Sequence, residues 1–152
     1  MLSTLLLNIV FSKSAKYALK AVLFLAVHSD EDHKVMVKDI AKPINVPQAY
    51  IAKLLQELSK QNIISSTRGI NGGFYLSELN NEQTLISILN AIDGKNKMNS
   101  CLLSLDKCND KAPCPMHNIF NPTRNMFSEC LKTKSIKELA LDIKSGVSVL
   151  PL

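Results

Sequence analysis

Three cysteines and a histidine lie close together in this chain with spacings that suit metal chemistry. The segment CLLSLDKCNDKAPCPMH holds Cys101, Cys108 and Cys114, and His117 follows three residues after the last of them. Thiolate sulfur is the donor that iron prefers in iron–sulfur clusters, and three thiolates on one loop can wrap a single cluster of the 2Fe-2S or 4Fe-4S kind. A fourth ligand is then needed, and His117 is near enough in sequence to supply it. A Cys3His zinc site would use the same atoms. Structural zinc sites usually contain a pair of cysteines with two to four residues between them, and the cysteines here have no such pair. Three unligated thiols are the remaining alternative. Cys130, the fourth cysteine, falls on an apolar helical stripe and is expected to be a small buried hydrophobe.

A second stretch has the composition of a nucleic-acid reader. Lys38 to Leu76 runs KDIAKPINVPQAYIAKLLQELSKQNIISSTRGINGGFYL. Ile51, Leu54, Leu55 and Leu58 recur at i, i+3, i+4 and i+7, the pattern of a helix with one buried face. Pro47 suits the start of that helix. The opposite face carries Ala49, Ala52, Lys53, Gln56 and Lys60, small or hydrogen-bonding residues of the type a helix needs in a DNA major groove. A β-rich segment from Ile63 to Arg68 and the return Phe74-Tyr75-Leu76 predict a hairpin, with Asn71-Gly72 taking positive φ at its turn. Arg68, Gly69 and the other tip glycines could meet phosphates or a minor groove. Helix, turn, helix and hairpin in this order predict a winged helix-turn-helix.

Composition agrees with a DNA partner. The 152 residues carry a net charge of +5 and are 46% hydrophobic, which favours a packed core over global disorder. Residues 34–70 hold six basic side chains against two acids, so most of the positive excess sits in the reading stretch. No apolar run reaches the roughly 18 residues of a membrane span. Leu5–Phe11 lacks the flanks of a signal peptide, and free thiols point to a reducing cytoplasm. Enzyme chemistry is not expected: RGINGG lacks the Gly-Lys-Ser/Thr ending of a phosphate-binding loop, and no nucleophile–base pair is evident.

Other elements must position these two regions. Residues 1–10 are expected to be an N-terminal extension, or the product of a misplaced start codon. Residues 11–94 form the DNA-binding unit, beginning with a helix from Lys13 to about His28 capped by Ser12. Val35-Met36-Val37 could pair with the wing, and Asp39 begins a short helix that Pro43 ends. Leu85, Ile88, Leu89 and Ile92 mark another helix stopped by Gly94. Residues 95–117 form the cysteine loop. In residues 118–146, Asn121-Pro122 resembles a helix start. Phe120, Met126, Phe127, Cys130 and Leu131 follow as a stripe that would pair with a second subunit or pack within the chain. Ser135–Glu138 is a capping box opening the last helix, and 147–152 is a tail. The fold expected is mostly α with a small β-hairpin wing, a winged helix-turn-helix plus a long dimerisation helix.

With these residues in view, the chain resembles the IscR/NsrR family of bacterial winged-helix transcription regulators, the Rrf-two family. The likeness spans about Phe11 to Ile143. It is carried by FSKSAKYALKAVLFLA, VPQAYIAKLLQELSKQNIISSTRGINGGFYL, TLISILNAIDG and the loop ending CPMH, with RGINGGFYL the most specific. The resemblance implies a homodimer paired through the helix after the cysteine loop, here with Phe120, Met126, Phe127 and Leu131. It implies contacts to double-stranded DNA from Gln48, Ala49, Tyr50, Lys53 and Arg68. It also implies a cluster on Cys101, Cys108 and Cys114, which purified protein can lack and which senses redox state, nitric oxide or cluster status. His117 matches the histidine ligand of the IscR branch. Some nitric-oxide sensors of the family use an acid in the first helix instead, and Lys16 stands at that position. The alternatives are a cluster-free regulator working by thiol oxidation, and a small redox or cluster-carrier protein.

Overall fold

The computed structural model describes residues 11–99, 103 and 110–152; the expectations for residues 1–10, Cys101 and Cys108 lie outside the described residues. The helices are α1 (Lys13–His28), α2 (Val37–Ile44), α3 (Gln48–Lys60), α4 (Glu78–Asn81), α5 (Leu85–Asp93), α6 (His117–Thr133) and α7 (Ile136–Lys144). A two-stranded antiparallel sheet, β1 (Ser65–Thr67) and β2 (Gly73–Tyr75), lies between α3 and α4. The chain is therefore mostly helical with a hairpin wing, as the sequence predicts.

Ser12 caps α1 as expected, its hydroxyl accepting from the Ala15 N–H at 3.0 Å. Asp93, at the end of α5, in turn accepts from the Ser12 N–H at 3.1 Å and from the Ser12 hydroxyl. Ala15, Ala18, Ala21, Val22, Leu25 and Ala26 are buried along α1, which packs against α2, α3, α5 and α7. Ile51, Leu54, Leu55 and Leu58 of α3 enter the same core.

Both proline expectations need correcting. Helix α2 starts at Val37, not Asp39, and Pro43 lies inside it; Asn45, with φ 59°, ends it. Helix α6 starts at His117 and runs through Pro122, so Asn121 is not its cap. A proline forfeits one backbone bond, to the carbonyl four residues earlier. Those carbonyls belong to Asp39 and Asn118, both exposed residues that water can serve. Val35 does pair with the wing, exchanging two backbone bonds of 2.9 Å with Phe74.

The wing turn also differs. Positive φ falls on Gly69 (106°) and Gly73 (156°), not on Asn71 and Gly72. The strands pair Thr67 with Gly73, leaving residues 68–72 for the connection, so a two-residue turn is not required. The Gly72 N–H closes it on the Gly69 carbonyl at 3.0 Å. A Cβ at Gly72 would lie 2.4 Å from the Thr67 oxygen, so only glycine fits there.

Asn62, at φ 58°, turns the chain out of α3, with the Ile63 N–H returning to the Leu58 carbonyl at 2.9 Å. Buried Asn80 then ties that turn to the wing. Its Nδ2 donates to the Asn62 carbonyl at 3.0 Å, while its Oδ1 accepts from the Ser65 hydroxyl at 2.7 Å and the Ser77 N–H at 3.0 Å. The Ser135–Glu138 capping box forms as expected. Glu138 sits below the usual carboxylate range because the Ser135 N–H and then Lys134 bond its charged form.

Asn80→Ala should lower unfolding stability by roughly 1–3 kcal/mol, since Ser65 and the Asn62 carbonyl lose a buried partner. Chemical denaturation measures this, and an unchanged midpoint would show that the Asn80 bonds contribute nothing net.

Candidate DNA-reading face and metal centre

Helix α3 turns its apolar side inward and leaves Gln48, Ala49, Lys53, Gln56 and Lys60 exposed. Ala52 is half-buried beside them. That outer face has two small residues, two amides and two lysines, and no acid. Tyr50 differs from the other candidate contacts. Its ring is half-buried, meets Tyr17 edge-on with centroids 5.9 Å apart, and its hydroxyl lies 2.8 Å from the Ser14 hydroxyl. Tyr50 thus fastens the first turn of α3 to α1. Nothing in the local pattern of residues 48–60 signals that long-range contact.

Arg68 and Gly69 are exposed at the end of β1. The wing that carries them is held to α3 by a 3.0 Å contact between the Ser59 and Ser66 hydroxyls, besides the Asn80 bonds. Lys34 adds a positive charge at the wing base, 5.5 Å from the centre of the Tyr75 ring.

Cys114 and His117 are one turn apart where α6 begins, with the His117 N–H donating to the Cys114 carbonyl at 2.9 Å. Cys114 is half-buried and not in a disulfide. The His117 side chain is only 8% exposed, and its Nε2 lies 3.0 Å from Oδ1 of Asp110. Asp110 had no place among the sequence candidates, though an acid between two cysteines of a ligand loop is a readable signal. A carboxylate on one imidazole nitrogen fixes the ring's tautomer and orientation, the arrangement found behind ligating histidines. One thiolate and one oriented imidazole on adjacent turns fit the donor chemistry of an iron–sulfur cluster or zinc. Among the described residues no group of three metal-binding side chains forms, and Cys101 and Cys108 are not among them.

The stripe on α6 splits into two faces. Leu131 is buried and Phe127 half-buried in a second core with Ala15, Leu89 and Met98, and the Phe127 ring lies 5.6 Å from that of Phe11. Phe120 is half-buried. Met126 is 67% exposed and Ile119 71%. Cys130 is exposed, which overturns the expectation that it is buried. At about 100° per residue, Phe120, Phe127 and Leu131 fall within one narrow arc, and Ile119, Met126 and Cys130 within another. Spacings of three and four alone blur this distinction.

No helix among the described residues is long and apolar enough to cross a membrane. Residues 11–142 match the model of the Rrf2 family, described as an iron-dependent transcriptional regulator. A protein of Aquifex aeolicus named as a candidate HTH-type transcriptional regulator is 33% identical over 86% of this chain and 90% of its own length. The HTH-type transcriptional regulator IscR of Photobacterium profundum is 27% identical over 86% of this chain and 75% of its own. Among solved structures, CymR, the global cysteine regulator of B. subtilis, superposes with a TM-score of 0.68 at 22% identity, covering 86% of this chain and 95% of CymR. T. potens IscR gives 0.68 at 18% identity, covering 91% and 90%. The helix-turn-helix with its hairpin is thus a winged helix shared with these regulators, and the chain belongs to the Rrf2 family of transcriptional regulators.

Proposed function

We propose that this regulator is a cytoplasmic homodimer that reads DNA with α3 and the wing, and whose DNA binding is switched by an iron–sulfur cluster on Cys101, Cys108, Cys114 and His117. The observation that carries the cluster is the pairing of Cys114 with a buried His117 whose ring is held by Asp110. When bound, the cluster would supply iron that changes charge or ligation with redox state or nitric oxide. The chain's own part is to hold it. Cys114 offers a thiolate, Asp110 orients His117, and α6 begins at His117, whose N–H holds the Cys114 carbonyl.

For DNA, Gln48, Ala49 and Lys53 stand on the exposed face of α3 in the manner of a major-groove helix, with Arg68 and Gly69 on the wing. Tyr50 acts as an anchor that sets the angle of α3 rather than as a base contact. For the dimer, the exposed arc of Ile119, Met126 and Cys130 is the surface of α6 open to a second copy, and Phe120 borders it. Phe127 and Leu131 support that helix from within the chain.

The cluster is tested by anaerobic addition of iron and sulfide, followed by absorbance and by counts of bound iron and sulfide. Wild type should take up both, and replacing any of Cys101, Cys108 or Cys114 with serine should abolish retention. His117→Ala should be milder, because water or an external thiol can replace a neutral ligand. Zinc uptake without sulfide would replace the cluster by a zinc site. Uptake of neither would leave a regulator driven by thiol chemistry.

Arg68→Ala should weaken binding to every duplex and reduce the slope of log affinity against log salt by about 1 if Arg68 meets a phosphate. Unchanged affinity in a fluorescence anisotropy titration would remove Arg68 from the interface. Met126→Asp should give folded monomers in sedimentation, since an unpaired charge in an apolar seam costs roughly several kcal/mol. Phe127→Asp should instead unfold the protein, because Phe127 packs on Phe11 and Leu131 of its own chain. A folded Met126→Asp dimer would place the interface off the exposed arc.

A further inference from the structure

Ile70 is 93% accessible, the most exposed large hydrophobic side chain among the described residues. A lone exposed isoleucine is ordinary on a protein surface, but its setting here is not. From Arg68 to Gly73 the wing tip has only three side chains, those of Arg68, Ile70 and Asn71; positions 69, 72 and 73 are glycine. The bond from the Gly72 N–H to the Gly69 carbonyl, 3.0 Å, makes Ile70 and Asn71 the two central residues of the turn. Gly72 packs so closely on Thr67 and Arg68 that a Cβ would lie 2.4 and 2.7 Å from their backbones, which holds the turn in this shape. The tip is therefore a thin blade of bare backbone with one branched apolar side chain and one amide at its edge.

A B-DNA minor groove is about 6 Å wide, has apolar deoxyribose walls, and presents only acceptors at A·T pairs. A thin tip can enter it where a tip bearing side chains on both sides could not. Apolar side chains inserted there spread base steps and bend the duplex. We propose that Ile70 enters the minor groove as an apolar wedge, with the Asn71 amide donating to base acceptors beside it and Arg68 facing the phosphates at the groove edge. The wing then senses A·T content and deformability, while α3 reads the major groove. This rests on the DNA-binding function proposed above.

The probe is a duplex selected from random sequence by the wild-type protein. Ile70→Ser, Ile70→Leu and wild type are compared by anisotropy on that duplex and on one with G·C pairs placed under the wing. Bending is read by the gel mobility of circularly permuted fragments. Ile70 contributes little to the fold, so all three proteins should unfold at the same temperature. Ile70→Ser should bind the selected duplex about tenfold more weakly, as expected for losing one buried aliphatic side chain, and should bend it less. It should also lose the preference for A·T pairs at the wing. Ile70→Leu should recover both affinity and bend. Wild-type affinity and bend in Ile70→Ser would overturn the wedge while leaving DNA binding intact. So would an unchanged DNA affinity accompanied by loss of self-association in sedimentation, which would assign Ile70 to a protein contact. Selection that enriches no duplex would overturn the DNA-binding proposal itself, and the wedge with it.

Discussion

The small side chains of α1 are the constraint on which the rest of the molecule depends. Ala15, Ala18, Ala21 and Ala26 are buried with Val22 and Leu25, and α2, α3, α5 and α7 all pack on this one helix. Alanine lets neighbouring helices approach closely, whereas a larger residue at these positions would force them apart and strain the core. A helix covered on several sides is a central support rather than a surface element. Because α3 and α5 share that support, and α6 packs in turn on α5, the positions of these three helices are linked.

The wing is fixed to the reading helix with comparable care. Asn62 turns the chain out of α3, Asn80 bonds that turn to Ser65, and Ser59 meets Ser66. On the other strand, Phe74 pairs with Val35, and Gly73 lies so close to Val35 that a Cβ would come within 2.7 Å of its carbonyl oxygen. A hairpin with only three paired residues on each strand would be marginal alone. These outside bonds give it a fixed offset from α3, which is what a protein needs to address two grooves of one duplex.

Much of this was legible where the governing interaction is local. The buried face of α3 followed from a 3.6-residue repeat. The cap at Ser12 and the box at Ser135 and Glu138 followed from side chains that bond backbone within one turn. What was not legible depends on distant partners. Nothing in the sequence around Asn80 signals that it joins three segments. Tyr50 reads as a surface aromatic on a DNA-facing helix, yet Ser14 and Tyr17 hold it. Pro43 and Pro122 read as helix boundaries because a proline forbids one bond; both helices run through them, and the residues whose carbonyls lose that bond, Asp39 and Asn118, are exposed. Cys130 could have been placed correctly by angular arithmetic on α6, which separates it from Phe127 and Leu131.

The two ends of the cysteine loop return to α1 by the same route. Met98, near the start of the loop, and Leu131, in the helix that follows it, are buried together with Ala15 and Leu89, and Phe127 lies against Phe11. Beside Ala15 on α1, Ser14 and Tyr17 grip Tyr50 at the start of α3. Helix α6 is also tied to the base of α5, where the Leu85 N–H donates to the Lys134 carbonyl at 3.0 Å and the Ile136 N–H to that of Gln83 at 2.9 Å. Phe11 and Ala15 of the second core, and Ser14 and Tyr17 that hold Tyr50, are thus interleaved along residues 11–17. The contact between Tyr50 and α1 therefore sets the start of α3 on the same stretch of helix that carries Ala15 into the second core with Met98 and Leu131.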